Sequence, residues 1–221
     1  MLIPLQEIIK KFNLNIKGVI QVGCHWAEEH EDFLKCGIKK FVYIEPCKEA
    51  FQIMIGKIGG KWEGGFGEMR KDSVIALNCA CGAEEMETTI NVSHNNQGQS
   101  NSLLQPKLHL QQHPEIVFTD VEIVKVMPLD RLAFNKEEHN LLIMDVQGYE
   151  GEVIKGATET LKHIDCIYTE INRDFTYENN MLIDEMDSFL SFYDFVRVET
   201  QWASPNLSWG DAVYLRQTLL K

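Results

Sequence analysis

Short apolar runs alternate with amphipathic segments along the first third of the chain. Pro4 and the spacing of the apolar residues after it predict a short helix within residues 1–15. Strands are predicted at 18–23, 40–45 and 73–79, helices at 27–36 and 48–58, and a glycine-rich turn at 59–67. This alternation is typical of a parallel sheet with right-handed crossovers.

The middle of the chain interrupts this pattern. An extended segment is predicted at 83–92, and residues 91–114 form a polar stretch with little apolar periodicity that contains His94, His109 and His113. A polar loop of this length in a compact domain is more often functional than idle, so we expect it on the substrate side of a site.

Alternation then resumes towards the end of the chain. Strands are predicted at 121–126, 141–146, 164–171, 195–199 and 212–216, and helices at 150–161 and 181–192. The sequence therefore predicts one α/β domain over residues 1–221, with a Rossmann-like, mostly parallel seven-stranded sheet and helices on both faces.

Composition narrows the classes of partner. Hydrophobic residues make up 44% of the 221 residues, and 21 Lys and Arg against 33 Asp and Glu give a net charge of −12. Nucleic-acid-binding proteins usually present a basic face, because neutralising phosphates supplies most of their non-specific affinity. We therefore expect a small-molecule partner and no nucleic acid.

The cysteines and the hydrophobic runs point to a reducing compartment. None of the six cysteines forms a C-x-x-C pair, and the first residues do not resemble a signal peptide. The longest apolar run is far shorter than a membrane span. We expect a cytoplasmic protein with no membrane partner.

Polar groups follow three of the predicted strands. In a doubly wound sheet, ligands bind outside the carboxyl ends of the strands. The first strand ends in a glycine turn, the second in Glu45, whose carboxylate can bind both hydroxyls of a ribose, and the third in small residues that suit an adenine edge. Each feature alone is more often structural, but their order and spacing indicate a nucleotide-type ligand. The G-x-G-x-x-G and P-loop motifs of NAD and ATP sites are absent.

The later strands carry the most specific motifs. The chain has MPLDRL at 127–132, LLIMDVQGYE at 141–150 and VIKGA at 153–157. These segments closely resemble the FkbM family of methyltransferases, whose pattern is roughly LD-x-L, K-x-D-V-[EQ]-G-x-E-x-x-V-L-x-G-A and a later Leu. A weaker resemblance extends from about residue 19 to residue 216.

The resemblance implies a Rossmann-like domain that uses S-adenosylmethionine to methylate an acceptor oxygen, often on a sugar or a natural product. It assigns the following residues to the cofactor: Gln21, Gly23, Cys24, His25, Glu45, Asn78, Ala80, Cys81, Asp145 and Gln147. Two positions depart from the family. Gln21 replaces an acidic residue and can still bond an ammonium, and Ala27 replaces a glycine and avoids strain only at negative φ.

An alcohol acceptor loses a proton during methylation, and a nearby base typically contributes about 10²–10⁴-fold to the rate. Asp145 is the first candidate next to the methyl centre, as a base, as a group that orients the acceptor, or as a ligand of the cofactor's amino group. His94 and His113 are further candidate bases. His109 is expected to be an inert surface residue. Glu170 and Asp174 are candidates to face the same cleft.

The sequence thus favours an S-adenosylmethionine-dependent O-methyltransferase acting on a hydroxyl of a small acceptor such as a sugar or glycan. The alternative is a catalytically weak binding protein with a cofactor fold, which Gln21 and Ala27 favour. An N-methyltransferase usually offers [DNS]-P-P-[YFW], whereas the fourth strand here ends in D-V-Q-G. Asp145 and Glu170 could bind a divalent cation, but nothing in their spacing requires it, and no metal is expected.

Overall fold

The computed structural model describes residues 1–59, 68–71 and 73–220, with the side chains of 68–71 excepted. The helices are α1 (Leu5–Lys11), α2 (His30–Lys35), α3 (Lys48–Lys57), α4 (His109–Gln112), α5 (Glu150–Lys155) and α6 (Ile183–Ser191). The strands are β1 (Val19–Val22), β2 (Phe41–Ile44), β3 (Glu68–Lys71), β4 (Val74–Leu77), β5 (Ala80–Cys81), β6 (Met86–Val92), β7 (Asp120–Met127), β8 (Leu141–Met144), β9 (Cys166–Asn172), β10 (Phe195–Trp202) and β11 (Trp209–Arg216).

The main sheet has the order β10-β11-β9-β8-β1-β2-β4-β3. Its central strands, β4, β2, β1, β8 and β9, are parallel, whereas β11 runs antiparallel to both β9 and β10. Seven of these strands are the predicted ones, so the Rossmann-like, mostly parallel sheet is confirmed. The eighth, β3, was not predicted and pairs antiparallel with β4 at the edge.

Alternate residues of the central strands face two separate cores. In β1, Ile20 and Val22 pack on the side of α5 and α6, whereas Val19 packs on the side of α1, α2 and α3. All three side chains are buried. A parallel sheet covered on both faces requires apolar residues at both alternate positions, which explains the continuous apolar runs of its strands.

A second, three-stranded sheet has the order β5-β7-β6. The predicted extended segments at 83–92 and 121–126 are its long strands, and they pair antiparallel. Residues 91–114 link them with a short 3₁₀ turn at His94–Asn96 and with α4. The pattern of apolar and polar residues within one strand does not say which strand it pairs with. It therefore did not reveal that these two segments pair with each other rather than with the main sheet.

Two predicted helices are shorter than expected. The helix predicted at 27–36 begins only at His30, because Ala27 has a φ of +52° and cannot start a right-handed helix. The helix predicted at 150–161 ends at Lys155, and a 3₁₀ turn follows at Thr160–His163. The predicted turn at 59–67 lies, apart from Gly59, outside the described residues.

All six cysteines are free thiols, and all but Cys36 are buried. Across the residues described above, no helix combines the length and the hydrophobicity needed to cross a bilayer.

Gly156 lies where α5 packs against two other backbone segments. A Cβ atom at this position would lie 2.0 Å from the carbonyl oxygen of Gly82 and 3.2 Å from the Cα of Pro128. The φ of Gly156 is −84°, which any residue can adopt. Glycine is therefore required here for close approach and not for backbone freedom.

We expect Gly156→Ala to lower the free energy of unfolding by about 2 kcal/mol or more, because overpacking against rigid backbone typically costs ~1–3 kcal/mol. The matched control is Gly56→Ala in α3, where nothing lies within 4 Å of the added Cβ. That variant should be neutral or more stable by up to about 1 kcal/mol. Urea denaturation measures both, and equal stabilities of the two variants would contradict the packing argument.

Candidate active site

A cavity of about 460 Å³ opens at the carboxyl ends of β1, β2, β8 and β9. Its volume lies within the ~300–1,000 Å³ typical of small-molecule sites. Ten of the twelve predicted site residues line it, namely Gln21, Gly23, Cys24, His25, Glu45, Ala80, Cys81, His113, Asp145 and Gln147. The parallel register explains this, because it brings the ends of neighbouring strands to one edge of the sheet.

The turn after β1 is tightly folded. Gly23 has a φ of +75°, and a Cβ atom there would lie 1.9 Å from the carbonyl oxygen of Asp145, so only glycine fits. His25 and Ala27 also have positive φ, of +46° and +52°. Ala27 therefore does not have the negative φ at which it would be unstrained. A left-handed backbone conformation at an alanine costs roughly 1–2 kcal/mol of stability. Such strain is characteristic of ligand-binding turns.

Glu45 is held by backbone groups at the end of β2. The backbone N–H of His25 donates to Oε2 at 2.9 Å, and that of Cys47 donates to Oε1 at 2.9 Å. The side chain is buried, and burial raises the pKa of Glu45 to about 7 despite these two donors. Each carboxylate oxygen keeps a lone pair for a ligand.

Asn78 does not line the cavity, contrary to its predicted place at the adenine edge. Its Nδ2 donates to the carbonyl oxygens of Glu45 and Pro46, both at 2.9 Å. Asn78 therefore fastens the segment that carries Glu45, while Cys79, Ala80 and Cys81 form the wall.

One amide joins two carboxylates at the ends of β8 and β9. Nε2 of Gln147 donates to Asp145 Oδ1 at 2.8 Å and to Glu170 Oε2 at 3.0 Å. Oε1 of Gln147 accepts from the hydroxyl of Tyr177 at 2.9 Å. All polar atoms of the Gln147 side chain are thus used to hold this arrangement.

The two carboxyl groups titrate differently. Asp145 is exposed to the cavity, but the surrounding protein desolvates its carboxylate and raises its pKa to about 6; the bond from Gln147 opposes this rise, and the charge of Asp211 adds to it. Burial raises the pKa of Glu170 well above its ordinary value, and the charges of Asp145 and Glu150 act in the same direction. Asp145, whose carboxylate opens into the cavity, is therefore the first of the pair to ionise.

The three histidines of segment 91–114 lie in different surroundings. His94 is exposed, lies 3.7 Å from Asp120 (Nε2 to Oδ2) and does not line the cavity. His113 lines it. The prediction of an inert surface His109 was wrong: its ring is buried on the cavity wall, with Nε2 3.2 Å from Ser100 Oγ. Burial lowers the pKa of His109 to about 4, so it is uncharged at neutral pH.

The cavity wall is strongly acidic. Its carboxylates are Glu28, Glu29, Glu45, Asp145, Glu170 and Asp211, and no lysine or arginine lines it within the described part of the chain. Glu29, Tyr177 and Asp211 were not predicted from the sequence. Asp174 was predicted to face the cleft but lies outside it and accepts a bond from Ser208. Within the same described ranges, no group of three or more His, Cys, Asp or Glu residues could hold a metal ion.

The strand order, the glycine turn after β1 and the carboxylate ending β2 are those of the Rossmann-like fold of methyltransferases that bind S-adenosylmethionine. Three features fit this cofactor. Oε1 of Gln21 is buried without a hydrogen-bond partner among the described residues, only glycine fits at position 23, and the backbone N–H of His25 holds the Glu45 carboxylate in place. The profile of the methyltransferase FkbM domain matches residues 18–197, and the chain belongs to this family. Residues 18–197 are thus a methyltransferase domain of the S-adenosylmethionine-dependent kind.

Two kinds of relative are similar to this chain. The chain is 35% identical over 96 residues to the 2-O-methyltransferase NoeI of Sinorhizobium fredii, a match covering 41% of this chain and 40% of that protein. A candidate S-adenosylmethionine-dependent methyltransferase of Listeria monocytogenes is 7% identical, with a TM-score of 0.53 over 96% of this chain and 98% of that chain. A candidate tRNA (m1A22) methyltransferase of Streptococcus pneumoniae, solved with S-adenosylmethionine, is 11% identical, with a TM-score of 0.51 over 98% of this chain and 73% of that chain. The two structures establish the fold.

The raised pKa of Glu45 predicts a dependence of stability on pH. The folded protein keeps this proton up to about pH 7, whereas a glutamate ordinarily releases it near 4.5. Stability contributed by the protonated form is therefore lost as pH rises through this window. We expect the free energy of unfolding of Glu45→Gln, relative to the unsubstituted protein, to increase by about 2–4 kcal/mol from pH 5 to pH 8.

Urea denaturation at each pH measures this difference. Glu49→Gln, at an exposed position in the first turn of α3, is the matched control and should give a difference with no such slope. A pH-independent difference for Glu45→Gln would show that the burial of this carboxylate does not set its proton affinity.

Proposed function

We propose that this methyltransferase transfers a methyl group to a hydroxyl oxygen of a small acceptor of the sugar or glycan type. The observation that carries the proposal is the unit formed by Asp145, Gln147 and Glu170 on the cavity wall. It places two carboxyl groups side by side, and the pKa of Glu170 is raised further than that of Asp145. Groups whose pKa values are pushed apart in this way are typical of acid–base pairs.

The cofactor would be held across the ends of neighbouring strands. Glu45 would accept hydrogen bonds from the ribose hydroxyls, and Ala80 and Cys81 would flank the adenine. The turn at Gly23 would leave space for the rest of the cofactor molecule. When bound, S-adenosylmethionine supplies a methyl group on a positively charged sulfur, which an acceptor oxygen can displace in line. The task left to the protein is to position the acceptor and remove its proton.

Asp145 is the residue we assign to proton removal. Its pKa of about 6 leaves it ionised at neutral pH yet basic enough to accept a proton. Gln147 fixes its orientation from one side, and Tyr177 in turn fixes Gln147. His113, which also lines the cavity, is the second candidate base. His94 has no part in this proposal because of its position outside the cavity.

The acceptor side of the cavity suits a hydroxylated ligand. Segment 91–114 contributes Asn96, Gln99 and Ser100 to the wall, and Tyr177 and Trp209 add aromatic rings. Amides and hydroxyls both donate and accept hydrogen bonds, as sugar hydroxyls do. The name of the relative NoeI, a 2-O-methyltransferase, favours oxygen as the methylated atom.

The charge of the cavity disfavours a nucleic-acid acceptor. The structural relative from Streptococcus pneumoniae is described as a tRNA methyltransferase. A phosphate backbone needs cationic partners, however, and here six carboxylates line the cavity with no lysine or arginine beside them in the described part of the chain. A neutral or cationic acceptor is compatible with this charge.

We expect Asp145→Asn to lower kcat for methylation of a sugar acceptor by about 10²–10⁴-fold, because the base is lost while the shape is kept. The affinity for S-adenosylhomocysteine should change by no more than a few-fold. In the unsubstituted enzyme, kcat/KM should rise with pH through about pH 6, where Asp145 of the free enzyme loses its proton. Transfer of labelled methyl groups to a panel of neutral sugars and glycans measures these rates, and NMR locates the new methyl ether.

Asp174→Asn is the matched control, because Asp174 is exposed and lies outside the cavity. It should retain full turnover. Full turnover in Asp145→Asn would remove Asp145 from the chemistry and leave His113 as the candidate base. Cofactor binding without transfer to any hydroxylated acceptor would refute the proposed substrate class.

A further inference from the structure

Two buried side chains on the acceptor side of the cavity each have a polar atom without a hydrogen-bond partner in the described part of the chain. These atoms are Nδ1 of His109 and Oγ1 of Thr176. His109 is 4% exposed and Thr176 is 1% exposed, and both residues line the cavity. An unpaired polar atom in a buried position is costly, so both atoms are candidates to bind a polar group of a ligand.

The fold holds these two residues beside each other. The backbone N–H of His109, the first residue of α4, donates to the carbonyl oxygen of Thr176 at 3.1 Å. The N–H of Lys107 donates to the same oxygen at 3.0 Å. The ring of His109 also packs against the rings of Phe118 and Tyr177, with centroids 5.5 Å and 5.3 Å apart. The positions of the two unpaired atoms are therefore fixed before any ligand binds.

The neighbours of His109 determine which of its ring nitrogens carries the proton. Both halves of the Asn96 amide are satisfied when its nitrogen faces the carbonyl oxygen of Ser93 at 2.6 Å and its oxygen faces Oγ of Ser100 at 2.8 Å. The Ser100 hydroxyl then donates to Asn96 and accepts from Nε2–H of His109 at 3.2 Å. With a pKa of about 4, His109 is neutral at pH 7 and has a single ring proton, so Nδ1 keeps a free lone pair.

A lone pair next to a hydroxyl suits a ligand hydroxyl. Nδ1 of His109 can only accept a hydrogen bond, whereas the hydroxyl of Thr176 can donate one. The two atoms are not bonded to each other. A ligand hydroxyl would donate to Nδ1 and accept from Thr176, so that all three groups are satisfied. An ether or a methyl group of a ligand would leave Nδ1 unpaired.

This pair of residues lies apart from the carboxyl groups to which we assign the chemistry. Tyr177 packs its ring against His109, while its hydroxyl donates to Gln147, which in turn holds Asp145. The charged groups that act on His109 are His113 and Glu115, whereas those that act on Asp145 include Glu29 and Asp211. A ligand hydroxyl at His109 is therefore a different hydroxyl from the one that faces Asp145.

We propose that Nδ1 of His109 and Oγ1 of Thr176 bind a hydroxyl of the methyl acceptor other than the one that is methylated. They position the acceptor and select a compound with several hydroxyls, such as a sugar, over a simple alcohol. This subsite rests on the proposed function, because it requires a hydroxylated acceptor.

The protonation of His109 can be measured without any acceptor. In protein labelled with nitrogen-15, long-range proton–nitrogen NMR spectra distinguish a protonated ring nitrogen from an unprotonated one, and comparison with His109→Phe assigns the signals. We expect Nε2 of His109 to carry the proton at pH 7 and Nδ1 to carry none. A proton on Nδ1 would overturn the proposal whatever the enzyme methylates, because that atom would then be unable to accept a hydrogen bond.

Thr176→Val removes the hydroxyl while keeping the shape of the side chain. For the sugar that the unsubstituted enzyme methylates best, we expect the acceptor KM to rise by about 3–10-fold, as the loss of one hydrogen bond predicts, with kcat changed by no more than about twofold. The affinity for S-adenosylhomocysteine should not change. Thr89→Val, at an exposed position in β6 outside the cavity, is the matched control and should alter none of these values.

Deoxy analogues of the same sugar identify the bound hydroxyl. One analogue that keeps the methylated hydroxyl should show a KM raised by about 3–10-fold with the unsubstituted enzyme, and Thr176→Val should raise it no further, because the shared hydrogen bond is already absent. An unchanged KM in Thr176→Val, or a further rise on every analogue, would overturn the subsite and leave the proposed function intact. If the unsubstituted enzyme methylates no hydroxylated compound, the proposed function fails and the subsite fails with it.

Discussion

The site depends on one close backbone contact, between the turn at Gly23 and the end of β8. Gly23 and Cys24 both donate to the carbonyl oxygen of Ile44 in β2, and the N–H of Asp145 donates to Val22 in β1. The ends of β2, β1 and β8 are thereby locked together. A side chain at Gly23 would collide with the carbonyl of Asp145, so any other residue would separate the strand ends that form the cavity.

This locked edge concentrates carboxylates that repel one another. Desolvation by the surrounding protein raises the pKa of Glu45, Asp145, Glu150 and Glu170, so each is costly to ionise in the absence of a partner. Backbone donors and the Gln147 amide offset part of this cost. The left-handed Ala27 adds strain nearby. A cationic cofactor would relieve the electrostatic part of this cost, which is a physical reason for a binding site to tolerate it.

The features that could be predicted from the sequence are those that depend on residues close together along the chain. Apolar runs located the seven main strands, and their ends located Gly23, Glu45 and Asp145. The sequence did not predict features that depend on distant contacts. Glu29 and Asp211 reach the cavity from different elements, and Asn78 turns away from it to bond the backbone of Glu45 and Pro46. The burial of His109 also depends on a distant contact, because its ring packs against that of Tyr177, with the ring centroids 5.3 Å apart.

Residue 147 connects the two carboxyl groups of the unit formed by Asp145, Gln147 and Glu170. An amide nitrogen can donate two hydrogen bonds, and here it gives one to Asp145 and one to Glu170. The family pattern also accepts glutamate at this position. A carboxylate there would donate nothing unless protonated, and three acidic groups would then compete for the protons that hold them together. With Gln147, Asp145 can ionise while its geometry stays fixed. The amide thus holds the carboxylate in place without adding a charge of its own.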